Sequence, residues 1–592
     1  MVAGSPSRVG IPLRGTAPLP TRQELTVAWV RRRTVFTSAV LYALALMLLV
    51  LPAPFGQHPA WAYNWEGYTA WRWLTFWSAP EFTLGFLAPT DGLMTDSGQG
   101  PLLGLPLTIS ILLNGFTLEA LRLPAMLMSA LAPPLLWLCG RRMIGPAPAL
   151  LAALLLAISP VFLFYGRTAT LVGVSLLPLL LTVLALLRVL DAPSDSSWRW
   201  MREGVLVAAM LLGILAYAPV RLLWPMTVVI LTAAAAVSPA RRRALLLTSV
   251  GCLFIVPGAV MVQEAVTMPE PDPVAAALGY FYARGEQITA MSGDPSAAGE
   301  YVRHFAPDTE GRSVLDAAAS LVLQNSRDLG RLLRDENTLP APTDYWNERG
   351  RFWPGFYLPF AIAGAIAALG YAVRGGNRPL VRVLPLLLAL GLALPLVLTS
   401  RVHVGRLLPA LPFGLLLVAS GVAVTATQVS RLLTSWGAPA RPAMVGVALA
   451  AGVVFAAGWQ AQAEMAVLLT PTREELTVQQ LAAWAEPVAE RGGAVLVEDP
   501  ALGDEIERVH AATYRLGLDQ QYQFVDLTQG STSPADSRAP LFWRGALGAL
   551  TTGDIDAPCD RLWFVTPEVS KAFLDAWREA GCSGVPDLVL LP

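Results

Sequence analysis

The sequence predicts a polytopic α-helical membrane protein, with about eleven transmembrane helices and a C-terminal extracytoplasmic α/β domain. Three observations predict it. Of the 592 residues, 54% are hydrophobic and only 14% charged, with a mean hydropathy of +0.51. A soluble domain is about a quarter charged, so this chain needs lipid as its solvent. Apolar runs of near span length recur between residues 34 and 463. Arginine clusters stand on alternate connections between those runs, the pattern expected of cytoplasmic loops. The net charge of −1 gives no basis for nucleic-acid binding. Lys571 is the only lysine, which reads as coding bias rather than function.

Residues 1–33 are rich in Pro, Gly, Ser and Arg and read as a disordered cytoplasmic tail ending in Arg31-Arg32-Arg33. The run from Thr34 to Pro52 approaches the ~20 residues that a bilayer needs. It exceeds the short core of a secretory signal and reads as an uncleaved first helix. Further runs at about 120–139, 147–164, 170–189, 203–219, 222–238, 243–262, 354–373, 382–399, 405–427 and 443–463 complete the set. One more apolar stretch, 101–116, is decided by charge. If it does not span, Arg141-Arg142, Arg188 with Arg199 and Arg202, Arg241–Arg243, Arg374 with Arg378 and Arg382, and Arg431 with Arg441 all fall inside. If it spans, every later cluster lands outside. The stretch therefore reads as a re-entrant or interfacial helix on the outer face.

This topology makes residues 34–463 a membrane domain with two large outer loops, 53–119 and 263–352. It leaves the tail, 464–592, outside. In the tail, Thr472 and Glu475 form a capping box before a helix that runs to about Arg491. Ala494–Glu498, Tyr522–Leu527, Arg561–Val565 and Asp587–Leu591 read as strands. Helical periodicity covers Leu502–Leu516 and Glu568–Ala580. Alternation of this kind predicts a small, mostly parallel sheet. The tail has no phosphate-binding loop, no G-x-G-x-x-G turn and no H-E-x-x-H pair. Four scattered histidines give no zinc set, and no metal or cofactor is expected. Cys139 and Cys252 lie in apolar runs as fillers, whereas Cys559 and Cys582, both in the tail, are candidates for a disulfide if that domain is outside.

The outer arginines carry most of the chemical information. Arg167, Arg221, Arg401 and Arg406, with His403 among them, sit in short outer connections flanked by apolar helix. Arginine is costly near the membrane, and a guanidinium matches phosphate oxygens with paired donors. These residues read either as a site for a lipid phosphate or as side chains snorkelling to headgroups. The first outer loop holds Trp61, Tyr63, Trp65, Tyr68, Trp71, Trp73 and Trp77. They suit an interfacial belt, or stacking on sugar rings or an isoprenoid tail. Glu66 is the first acid after helix 1, and a carboxylate near the arginines could take an acceptor proton. Asp91 and Asp96 lie later in the same loop.

Several segments resemble those of GT-C type membrane glycosyltransferases of family 39, the protein O-mannosyltransferases and aminoarabinose transferases. Asn64–Trp71 is similar to that family's D-E-x-x-Y segment after helix 1. Gly98-Gln99-Gly100-Pro101-Leu102 and Ala120-Leu121-Arg122-Leu123-Pro124 resemble its G-x-x-P-L and A-L-R-L-P. Ala152–Pro160 followed by Tyr165-Gly166-Arg167 resembles A-A-L-L-L-A-x-S-P and Y-S-R. Tyr217–Leu223 and Arg406–Pro412 resemble its Y-x-x-x-R-L-L-P corner and R-x-L-L-P-x-L-P. The order and spacing agree over about 34–240 and again near 400–427. The chain departs from the family where the first acid of D-E is Trp65 and the serine of Y-S-R is Gly166.

The resemblance implies an inverting transferase that moves a sugar from a polyprenyl-phosphate donor to a protein, glycan or lipid acceptor at the outer membrane face, without metal. Glu66 would be the catalytic base, and Arg167, Arg221, His403 and Arg406 would bind the donor phosphate. The alternative is a non-catalytic GT-C-like scaffold or lipid-carrier binding protein, which the missing aspartate favours. A transporter would place its charges deep within helices, whereas here they gather at one face.

Overall fold

The computed structural model describes residues 22–51, 101–115, 118–191, 199–214, 218–267, 314–333, 352–374, 379–399, 404–438, 441–469, 494–498, 523–526, 541–544, 562–565, 570–583, 586 and 588–590. The membrane domain is a helical bundle. Its first elements are α1 (Arg22–Val50), α2 (Pro101–Asn114), α3 (Leu118–Ser129), α4 (Ala132–Met143), α5 (Pro146–Ala157) and α6 (Pro160–Arg167). Next come α7 (Leu171–Val174), α8 (Leu176–Asp191), α9 (Arg199–Ile214), a 3-10 turn at Ala218–Leu222, α10 (Leu223–Val237) and α11 (Arg242–Thr267). The remainder are α12 (Val314–Leu333), α13 (Tyr357–Val373), α14 (Pro379–Thr399), α15 (Val404–Leu407), α16 (Leu411–Ser435) and α17 (Pro442–Leu469). One hydrophobic core draws residues from all of these helices, α1 to α17.

Among the described residues, seven helical stretches are long and apolar enough to cross a membrane, or eight if α5 and α6 count as one bent span. The sequence runs suggested about eleven. The difference lies in shorter elements. α13 and the apolar part of α14 fall below span length, and α9 carries Arg199, Arg202 and Glu203 in its first turns. α2, left out of the eleven on charge, has 14 residues, roughly 21 Å at 1.5 Å per residue, against ~30 Å of hydrocarbon. α17 continues to Leu469, past the expected end at 463.

The α5–α6 break has a local cause. Pro160 has no N–H, and proline pushes the residue before it out of helical conformation. Ser159 is extended, with φ −66° and ψ 124°, and the two helices meet at 58°.

The basic connections gather at one end of the bundle. Arg141 Nη1 donates to Thr34 Oγ1 at 2.9 Å, and its guanidinium lies over the Trp137 ring. Arg142 pairs with Asp191 at 3.7 Å. Arg241 donates to the carbonyls of Leu190 and Val189, both at 2.6 Å, and so caps the end of α8. Arg382 donates to Met143 O at 3.0 Å and lies over Tyr371. The connections that alternate with these, which include Arg167, Arg221 and Arg406, therefore lie at the opposite ends of their helices.

Two helices cross at contact distance. A Cβ built on Gly421 of α16 would sit 2.6 Å from the Phe360 carbonyl carbon, and one built on Gly364 of α13 would sit 2.8 Å from the Leu417 carbonyl carbon. Each glycine thus admits the other helix's backbone, the small-residue packing used between membrane helices.

In the tail, β1 (Ala494–Glu498), β2 (Gln523–Asp526), β3 (Leu541–Arg544), β4 (Leu562–Val565) and β5 (Leu588–Leu590) form one parallel sheet in the order β2-β3-β1-β4-β5. Helix α18 (Ser570–Glu579) lies between β4 and β5 in the chain. β3 is a strand that the sequence reading passed over; its short Leu-Phe-Trp-Arg run shows little alternation. Cys582 is disulfide-bonded, whereas Cys139 and Cys252 are free and buried.

Candidate functional site

α6 ends on Arg167, and that residue is wholly buried, as is Arg122 on α3. Such burial is costly for a cation in an apolar bundle. The two are close enough for Arg122 to act on Arg167 as a like charge. On α3, Arg122, Ala125, Met126 and Ser129 are all buried. Their spacing of three and four residues makes one helix face. α3 packs on α6 and α7, so this face forms a polar seam with the end of α6.

Glycines set that seam. A Cβ on Gly166 would lie 3.0 Å from Leu49 Cδ2 and 3.3 Å from Ser129 Cβ. The missing side chain brings α1, α3 and α6 together immediately beside Arg167. A Cβ on Gly173 would lie 2.7 Å from the Tyr165 carbonyl carbon and 2.9 Å from Gly166 N. α7 thereby folds back onto the last turn of α6. Thr168 closes the turn, its hydroxyl 3.1 Å from Tyr165 O and 3.0 Å from Thr170 Oγ1. Leu49 is one residue from the end of α1, so the chain leaves helix 1 next to Arg167.

Arg221 lies in the 3-10 turn Ala218–Leu222 and Arg406 in α15, each partly exposed. Both elements pack against α14. The structure thus brings Arg167 together with Arg122, and sets the Arg221 and Arg406 segments along one helix. Glu66, Asp91, Asp96 and His403 lie outside the described residues. Arg122 is the residue that sequence reasoning quoted within a motif but did not nominate. A basic residue within the apolar window Leu118–Ser129, beyond Glu119 in its first turn, was the available signal. Among the described residues, no group of three or more His, Cys, Asp or Glu could hold a metal ion.

With this architecture in hand, comparison with known proteins places the fold. The family described as dolichyl-phosphate-mannose-protein mannosyltransferase matches residues 98–261, which include α2 to α10 and the seam. No curated protein matches the chain. The apo oligosaccharyltransferase of Archaeoglobus fulgidus has 16% identity and a TM-score of 0.51, over 81% of this chain and 64% of that one. ArnT from Cupriavidus metallidurans, in the apo state, has 14% identity and a TM-score of 0.45, over 93% and 95%. The same protein bound to undecaprenyl phosphate has 15% identity and a TM-score of 0.40, over 87% and 90%. The chain is a helical, multi-span membrane protein with a GT-C type fold. The likeness to membrane glycosyltransferases seen in its motifs thus extends to its architecture, although the chain spans under two thirds of the length of the oligosaccharyltransferase it matches.

Proposed function

We propose that the protein transfers a sugar from a polyprenyl-phosphate carrier to an acceptor at the outer face of the membrane. The observation that carries this reading is the pair of buried arginines, Arg122 and Arg167, at the end of the bundle opposite the basic connections. A guanidinium presents paired donors in a fork that fits the oxygens of a phosphate monoester or diester. The match of residues 98–261 to dolichyl-phosphate-mannose-protein mannosyltransferases points to the same donor class.

Transfer also needs a base for the acceptor hydroxyl. Glu66 fills that role in this reading. Its loop follows α1, whose last turn carries Leu49 against Gly166, so the segment that carries Glu66 starts at the arginine seam. Arg221 and Arg406 would steady the leaving phosphate as charge grows on it. In a transfer assay with a polyprenyl-phosphate sugar, Glu66→Gln is expected to leave donor binding intact and to abolish turnover. Full turnover by that variant assigns the base elsewhere. If the unmodified protein binds lipid phosphate but transfers no sugar, Trp65 at the usual aspartate position makes the non-catalytic carrier-binding protein the better reading.

In this reading the basic end is cytoplasmic, and the tail, as an extracytoplasmic α/β domain, is outside. The disulfide at Cys582 supports that side, because disulfides persist outside the cytoplasm. Cysteines introduced near Ser292 and Ser531 should react with an impermeant thiol reagent in intact cells, and one near Arg242 should not. Labelling at Arg242 would reverse the whole topology.

A further inference from the structure

Helical hydroxyls in this bundle commonly bond back to their own helix. Thr108, Thr227, Thr248, Thr427 and Thr434 each donate to the carbonyl four residues earlier, at 2.7 to 3.0 Å. That bond satisfies a hydroxyl locally and needs no other partner. Ser129, the last residue of α3, departs from this. Its side chain is wholly buried, yet its Oγ has no hydrogen-bond partner among the described residues. Leaving a buried polar group unpaired costs free energy, so the atom calls for an explanation.

Its position narrows the explanation. Ser129 lies on the α3 face that also carries Arg122, Ala125 and Met126. Its Cβ is 3.3 Å from the place a Gly166 Cβ would take, so α3 and the last turn of α6 meet at this serine. The residue bonded to Gly166 is Arg167, with Cα atoms ~3.8 Å apart. The orphaned hydroxyl is thus set beside the backbone that carries the buried guanidinium. A guanidinium fork engages two oxygens of a phosphate, and a phosphate has further oxygens to accept from a neighbouring O–H. An O–H donating to an ionised oxygen makes a short, strong bond.

We propose that Ser129 is a further phosphate-binding residue, its Oγ donating to an oxygen of the lipid phosphate held by Arg167. The inference rests on the lipid-phosphate reading of the seam. It gives one substitution two opposite effects. Without lipid, loss of the hydroxyl removes an unpaired buried group and does not harm the fold. With lipid, the same loss removes a bond to the ligand.

The test is titration of the detergent-purified full-length protein with undecaprenyl phosphate, together with the thermal midpoint in the absence of that lipid. Ser129→Ala is expected to bind about tenfold more weakly, at the lower end for a hydrogen bond to a charged group. Its lipid-free midpoint should equal or exceed the parent's. Ser110, on α2, supplies the matched control, because it too is buried with an unpartnered Oγ among the described residues. Ser110→Ala should leave Kd unchanged. The proposal is overturned if Ser129→Ala binds as the parent does, as it would if a water alone satisfied the hydroxyl. It is also overturned if Ser110→Ala weakens binding equally, or if the affinity of Ser129→Ala falls together with its lipid-free midpoint. In each of these cases, weaker binding by Arg167→Ala leaves the lipid-phosphate reading standing. A parent that binds no undecaprenyl phosphate removes both.

Discussion

Gly421→Val is expected to unfold the membrane domain at temperatures where the parent is stable. At this position there is no space to find. The added Cβ would meet the Phe360 backbone, with its carbonyl carbon at 2.6 Å and its Cα at 2.9 Å. Backbone cannot rotate away as a side-chain tip can, so α13 and α16 must separate. Separation also disturbs Gly364, which occupies the reciprocal place against Leu417. The cost is about 3 kcal/mol, at the upper end of what overpacking brings, and each branched methyl adds to it. Gly421→Ala falls between the two. Gly370→Ala, on the same α13, and Gly452→Ala, on α17, are the controls. Nothing lies within 4 Å of a Cβ at either position, and alanine favours a helix by up to about 1 kcal/mol over glycine. Thermal unfolding in detergent measures all four. A Gly421→Val midpoint equal to that of Gly370→Ala would show that the crossing does not hold the bundle.

The membrane character of the fold was legible because apolar length and arginine placement are written locally. The last residues of α1, α8 and α10 fall close to the predicted runs, whereas α1 begins at Arg22, inside the stretch 1–33 that composition assigned to a disordered tail. The break at Ser159-Pro160 was legible in principle, since proline acts on its own neighbours, yet the run 147–164 reads as one span by hydropathy alone. Helix packing was not legible. Nothing local tells Gly421, which touches a backbone, from Gly452, which touches nothing. The same limit applies to the site. Arg167 and Arg221 stand at helix ends and were visible as charges in short connections. Arg122 sits within a helix, so its burial against α6 depends on a contact 45 residues along the chain. Glu464 follows directly after the predicted end of a span and read as the first residue of the tail. Only the continuation of α17 to Leu469 and its buried stripe place it within the helix. The nominated residues Glu66, Asp91, Asp96 and His403 lie outside the described residues, and their roles rest on the sequence.

Arg167→Ala is expected to weaken binding of undecaprenyl phosphate about 100-fold. Hydrogen bonds to charged groups contribute about 1.5–3 kcal/mol each, and a guanidinium on a phosphate makes two that are parallel. Loss of both, partly offset by relief of the repulsion from Arg122, comes to about 2.7 kcal/mol, which is two decades in Kd. Arg167→Lys keeps the charge but not the fork, so it should lose about tenfold. The variant must also be separated from simple damage to the fold. Arg167 is one of the largest fully buried side chains, and its truncation leaves a hole beside Gly166 and Ser129. Titrations therefore belong below the unfolding range of each variant, with the folded fraction matched by circular dichroism. Arg141→Ala supplies the control for charge alone. It removes a cation at the opposite end, together with the bond to Thr34, and should leave Kd where it was. The two substitutions change net charge equally, so a general electrostatic effect on an anionic lipid would appear in both. If Arg141→Ala weakens binding as much as Arg167→Ala, the lipid phosphate is held by the surface charge of the whole protein. If Arg167→Ala binds as the parent does, the seam between α3 and α6 is not where the phosphate goes.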